Sequence, residues 1–132
     1  MDENLFKQRT KQLALRIIEI LDALPKNRTA DVIGRQLIRS GTSIGANYRA
    51  ACRGKSTADV IAKLRIVEEE ADESAYWMEL LIESGLIAEA RLSELLQETN
   101  EIIAMTVASI RTLQKHDGSF SVNRQSKIEN LK

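Results

Sequence analysis

One cysteine, one histidine and one proline are spread over 132 residues, aromatics make up 4%, and neither sign of charge is in excess. A single cysteine rules out an intramolecular disulfide framework. It fits a reducing compartment, and the expected location is the cytoplasm. Cys52 has no histidine or second cysteine near it in sequence, so it reads as a small packed hydrophobe. His116 stands alone near the end of the last predicted helix and reads as a solvated residue. Without His/Cys pairs there is no zinc-type spacing, and neither a P-loop nor a dinucleotide fingerprint occurs. Helical bundles that hold carboxylate-bridged metals need Glu-x-x-His pairs on facing helices, which one histidine cannot supply. The expectation is a non-enzymatic protein with no metal and no cofactor. No apolar run approaches the roughly 20 residues that cross a bilayer, so no membrane partner is expected. The opening MDENLFKQRT is too polar for a signal peptide.

What is abundant is Ala, Leu, Ile and Glu, a composition that favours helix. The length suits one domain with one core. Phe6, Leu13, Ile17, Ile20, Leu21 and Leu24 recur at three- and four-residue steps and predict a helix over 3–24. Pro25 stops it. A second helix is predicted over 29–53, with Thr29 as N-cap and Asp31 in its first turn. Gly34, Gly41 and Gly45 lie on or beside its apolar arc, where they read as points of close packing. A third helix opens at STAD, with Ser56 as N-cap and Asp59 completing a capping box, and runs to Ser84. Val60, Ile61, Leu64, Val67, Ala71, Ala75, Met78 and Ile82 form its stripe, and Gly85 closes it. The fourth helix runs from Ala88 to Lys115, with Leu92, Leu95, Thr99, Ile102, Thr106 and Ile110 among its inward residues. HDGS ends it, and 116–132 reads as a polar, flexible tail. No segment alternates like a strand. The expected fold is all-α: an antiparallel, up-down-up-down, left-handed four-helix bundle over 1–115.

The zero net charge hides an asymmetry. Residues 25–55 hold seven Lys/Arg and one acid, a local +6, whereas residues 66–104 hold eleven acids and one Arg, a local −10. On a helical wheel Arg28, Arg35, Arg39, Arg49 and Arg53 fall within roughly 80° of arc. Arg presents a planar fork that suits phosphate oxygens, so this stripe, with Lys55 beyond it, is the candidate contact for a nucleic-acid backbone. The competing reading is that the stripe pairs with acidic faces of the third and fourth helices, in the same chain or the next. A further apolar group, Ile66, Trp77 and Leu80, lies on the far side of the third helix, and Leu15 and Ile18 lie off the stripe of the first. A second apolar face of this kind reads as a subunit contact. Glu68 falls within the inward stripe; it either reaches water at the rim, accepts from Tyr48 or Asn47, or pairs with an Arg of a neighbouring subunit.

The run IRSGTSIGANYRAACRGKS, followed by AKLRIVEEEADESAYWMELL and ESGLI, resembles the four-helix-bundle family of the 23S rRNA intervening-sequence proteins. The resemblance spans roughly residues 5–114 and is most specific over Ser43–Gly54 and in the EEADES, YW and ELL parts of the third helix. It implies an antiparallel bundle that assembles as a homopentamer. A related branch, the accessory protein of diversity-generating retroelements, is a basic pentameric barrel that binds nucleic acid and a reverse transcriptase. By that resemblance Arg39, Arg49 and Arg53 are the residues carried over, while the neutral total charge departs from the basic branch. The reading in sum is a non-enzymatic homo-oligomer that binds an RNA or DNA backbone through the stripe. The alternative is a scaffold for an unidentified protein, with the arginines salt-bridged between subunits.

Overall fold

A computed structural model of the chain describes residues 2–129, with side chains as far as His116. Four helices account for it: α1 (Glu3–Leu21), α2 (Arg28–Cys52), α3 (Thr57–Glu83) and α4 (Glu89–Glu129). Among the described residues there is no strand.

The helix ends follow local chemistry. Asp2 caps α1 by accepting from Leu5 N at 3.1 Å. α1 stops three residues before the predicted Leu24: Asp22 is its C-cap, and Ala23 and Leu24 donate back to Ile20 and Leu21 in a tightened last turn ahead of Pro25. α2 is capped by Asn27, whose Oδ1 accepts from Ala30 N at 2.8 Å. The predicted cap, Thr29, is already inside the helix, because the asparagine two residues earlier is the better acceptor and takes the position first. Ser56 caps α3 as predicted and accepts from Asp59 N at 3.0 Å. Asp59 returns the bond to Lys55 N at 3.0 Å, one residue upstream of the usual capping-box partner. Gly85, at φ +77°, makes the turn into α4 in a conformation that disfavours a side chain. α4 does not end at HDGS. It continues to Glu129, since one glycine weakens a helix by only about 1 kcal/mol and no proline follows. The remainder of the predicted tail, 130–132, lies outside the described residues.

Helix directions follow from which residues meet. Gly34, Gly41 and Gly45 of α2 approach Leu24, Ile17 and Thr10 in turn, so α1 and α2 are antiparallel. Phe6 packs edge-on against Tyr48 at 4.4 Å between ring centroids, in the same register. Across α2 and α3, Arg39 meets Glu70 and Glu73, Ser40 meets Ser74, and Gly54 abuts Val60. Across α1 and α4, Arg9 reaches Glu98 and Arg16 reaches Glu94. α1 therefore runs against both α2 and α4, and α3 runs against α2, which makes α3 and α4 antiparallel as well. The backbones of the diagonal helices stay apart, and the α1–α4 seam is the thinnest of the four. This is an up-down-up-down bundle.

The core holds Phe6, Leu13, Ile17, Leu37, Ile44, Val67, Met78, Leu81, Leu92, Leu95 and Ile102 with almost no exposure. Threonines and serines fill inward positions beside them: Thr10, Ser40, Ser74, Thr99 and Thr106 are fully buried. Each satisfies its hydroxyl on a backbone carbonyl a turn earlier, and Ser74 Oγ also lies 2.9 Å from Ser40 Oγ across the α2–α3 seam. Among the described residues no buried side-chain polar atom is left without a partner. The Gly41–Gly45 spacing works as packing: a methyl on Gly41 would run into Ile17, and one on Gly45 would lie 3.2 Å from Thr10 Oγ1.

Candidate functional site

All five stripe arginines and Lys55 are exposed on α2 and the turn after it. The straight helix keeps them on one side, as their spacing requires. Their surroundings divide them. Arg35 Nη2 lies 2.9 Å from Asp31 Oδ2, one turn back. Arg39 crosses to α3, where its guanidinium takes Glu70 at 3.2 Å and Glu73 in a closer contact. Arg28, Arg49, Arg53 and Lys55 have no side-chain ion pair among the described residues. The stripe is thus one surface with a neutralised middle and free cations at both ends.

The apolar group on α3 is less uniform than its wheel. Ile66 is 38% exposed, whereas Trp77 and Leu80 are half-buried and Trp77 packs against the core. Tyr76 stands beside Trp77 at 5.2 Å between ring centroids and is itself 52% exposed. The indole Nε1 of Trp77 donates to Glu73 Oε1 at 3.2 Å. Arg39 from the stripe and Trp77 from the apolar group therefore share one carboxylate. The Arg39 guanidinium holds the Glu73 carboxyl below the ordinary range, against the partial burial that pushes it up, and the indole adds to the lowering. The same pairing raises the Arg39 guanidinium further above its ordinary value. Leu15 and Ile18 of α1 are exposed, as their off-stripe positions predict.

Glu68 is half-buried, and among the described residues neither predicted donor is bonded to it: Asn47 Nδ2 donates instead to Ser43 O at 2.8 Å. Cys52 is half-buried at the foot of α2, and burial pushes its thiol up. The Tyr48 hydroxyl is driven above its ordinary value, by burial first and by the bond to Cys52 second. Neither is arranged as a nucleophile with a base.

The competing sequence reading put acids of the third helix opposite the stripe without naming them, and the α1–α4 ion pairs were not foreseen. Glu70 and Glu73, which engage Arg39, lie 31 and 34 residues away, and only the order of the helices brings them near. Arg9 and Arg16 tie α1 to Glu98 and Glu94 of α4, and Arg9 also reaches Met105 Sδ at 3.1 Å. Among the described residues no group of His, Cys, Asp and Glu could hold a metal ion. No helix of the described residues is long and apolar enough to cross a membrane.

The family model of the 23S rRNA-intervening sequence protein matches residues 2–108. Among solved structures, the chain is similar to a protein of unknown function from the S23 ribosomal protein family of Bacteroides thetaiotaomicron. The two are 36% identical, with a TM-score of 0.78 over 84% of this chain and 99% of the other. No curated protein matches the chain.

Proposed function

The chain belongs to the 23S rRNA-intervening sequence protein family, and from that membership we propose a non-enzymatic, homo-oligomeric bundle that binds the backbone of RNA or DNA through the basic face of α2. The observation that supports this most is the state of Arg28, Arg49 and Arg53, exposed and without an acidic partner among the described residues. An unpaired, solvated guanidinium keeps its fork free for two phosphate oxygens. Such contacts position a backbone and read no sequence. Self-association rests on the exposed Ile66 and Tyr76 beside the half-buried Trp77 and Leu80. A ring of copies, five by the family resemblance, repeats the basic face around an axis, so a neutral protomer still offers a multivalent surface.

A second reading has its own observation. Arg39 is already held by two acids of α3, and Arg35 by Asp31. Arginines spent on ion pairs support a scaffold whose client is another protein.

Fluorescence anisotropy separates the two. A structured RNA and a duplex DNA of equal length are titrated with protein at several salt concentrations. Phosphate contact gives a log–log slope of about −0.7 to −0.9 per contact, hence a total slope of several units. Absence of binding to both nucleic acids at low salt refutes the nucleic-acid reading.

A further inference from the structure

We propose that the phosphate-binding surface is the end of the bundle where α2 turns into α3, rather than the length of the α2 stripe. This rests on the nucleic-acid reading above and relocates its site.

The helices converge at that end. Glu3 of α1, Tyr48 and Cys52 of α2, Leu64 of α3, and Met105 and Leu113 of α4 all line one open cavity of about 490 Å³. Several residues next to this lining in sequence are basic. Arg49 and Arg53 bracket Cys52, Lys55 follows in the turn, Arg65 follows Leu64, and Arg111 and Lys115 bracket Leu113. All six are exposed, and none has a side-chain ion pair among the described residues. Three helices thus bring exposed cations to the same end of the bundle, on their outer faces.

Two of the acids at this end are paired, while Asp2 is exposed and holds only its capping bond from Leu5 N. Glu3 is paired with Lys7 at 3.1 Å, and Asp59 with Lys63 at 3.3 Å while accepting from Lys55 N. The contrast with the rest of the molecule is sharp. Arg39, in the middle of the stripe, is neutralised by Glu70 and Glu73, and Arg35 by Asp31. At the opposite end, the last turns of α3 and the first of α4 carry Glu79, Glu83, Glu89 and Glu94 against Arg91, with Glu94 paired to Arg16 and with Lys26 and Arg28 exposed at the start of α2. A polyanion laid along α2 would meet paired arginines and approach acids. One laid across the α2–α3 end meets unpaired cations with few uncompensated acids. Charge complementarity therefore favours a phosphodiester backbone at this end, with its register set by cations from α2, α3 and α4 together.

Two charge-reversal pairs test the placement in the full chain. Arg65→Glu with Arg111→Glu alters the rim without touching α2. Arg28→Glu with Arg35→Glu alters the stripe far from the rim. All four positions are exposed, and circular dichroism checks that both variants fold. Binding of a labelled single-stranded RNA is read by anisotropy at about 0.1 M salt. The expected result is at least a tenfold loss for the first pair, with a salt slope shallower by about one to two units, and less than a threefold change for the second. Loss confined to Arg28→Glu/Arg35→Glu, or equal loss in both, overturns the placement while leaving the nucleic-acid reading standing. A wild-type protein that binds neither nucleic acid, or that binds anionic vesicles and no RNA, overturns both.

Discussion

At Glu73 one carboxylate serves two neighbours, Arg39 across the α2–α3 seam and Trp77 one turn along α3. Its folded pKa lies below the ordinary value because both neighbours favour the charged form. The pairing therefore contributes its full stability above the ordinary carboxylate range and loses it as pH falls through that range toward the lower folded value. Urea midpoints measured from pH 7 down to pH 3 are expected to fall more steeply for the wild type than for Glu73→Gln; parallel curves would deny the pair a stabilising part. At Gly41 the requirement is space. A methyl there meets Ile17, so Gly41→Ala is expected to destabilise the fold by about 1–3 kcal/mol despite its better helix propensity. An unchanged urea midpoint would show that α1 and α2 can separate without cost.

Helix periods were legible in the sequence because apolar spacing reports directly on the core face: Leu13, Ile17, Leu64, Val67, Leu92 and Ile102 are all inward as their stripes predict. The ends were less legible. Thr29 and Asn27 are both competent caps, and only the hydrogen bond from Ala30 N decides between them. Asn27→Ala is expected to cost about 1 kcal/mol in stability and Thr29→Ala close to nothing; the reverse order in thermal denaturation would assign the cap to Thr29. The continuation of α4 past HDGS was hidden for a related reason. Polar residues with one glycine are permitted in a helix, and that stretch of sequence has only a weak apolar period to read. Thr99 and Thr106 were read as inward, but Thr10 and Ser74 were not, because their hydroxyls satisfy themselves on the preceding turn and then pack as if apolar.

Over the whole molecule, the sequence showed that basic and acidic residues are segregated but not where each group lies. Counting by helix made α2 basic and α3–α4 acidic. Antiparallel packing redistributes those charges, because the foot of α2 lies beside the start of α3 and the later turns of α4. Unpaired cations from α2, α3 and α4 then share the end where α2 turns into α3, Arg28 stands unpaired at the other end, and Arg39 meets its acids in the middle. The three residues read as a subunit contact differ in exposure: Ile66 is open, Leu80 is half-buried, and Trp77 is half-buried and packs against the core. Because Arg39 and Trp77 share Glu73, substitutions at Arg39 disturb both surfaces. Arg49 and Arg53 are free of that coupling and are the residues to test.

Sedimentation velocity of wild type and Arg49→Glu/Arg53→Glu, each run alone and with a labelled structured RNA, tests the central claim most directly. The account expects both proteins to sediment alone with the same oligomeric mass, and RNA to co-sediment with the wild type only. If the variant falls to monomers, the arginines belong to subunit contacts; if it still carries RNA at wild-type level, the basic end of α2 is not the binding surface.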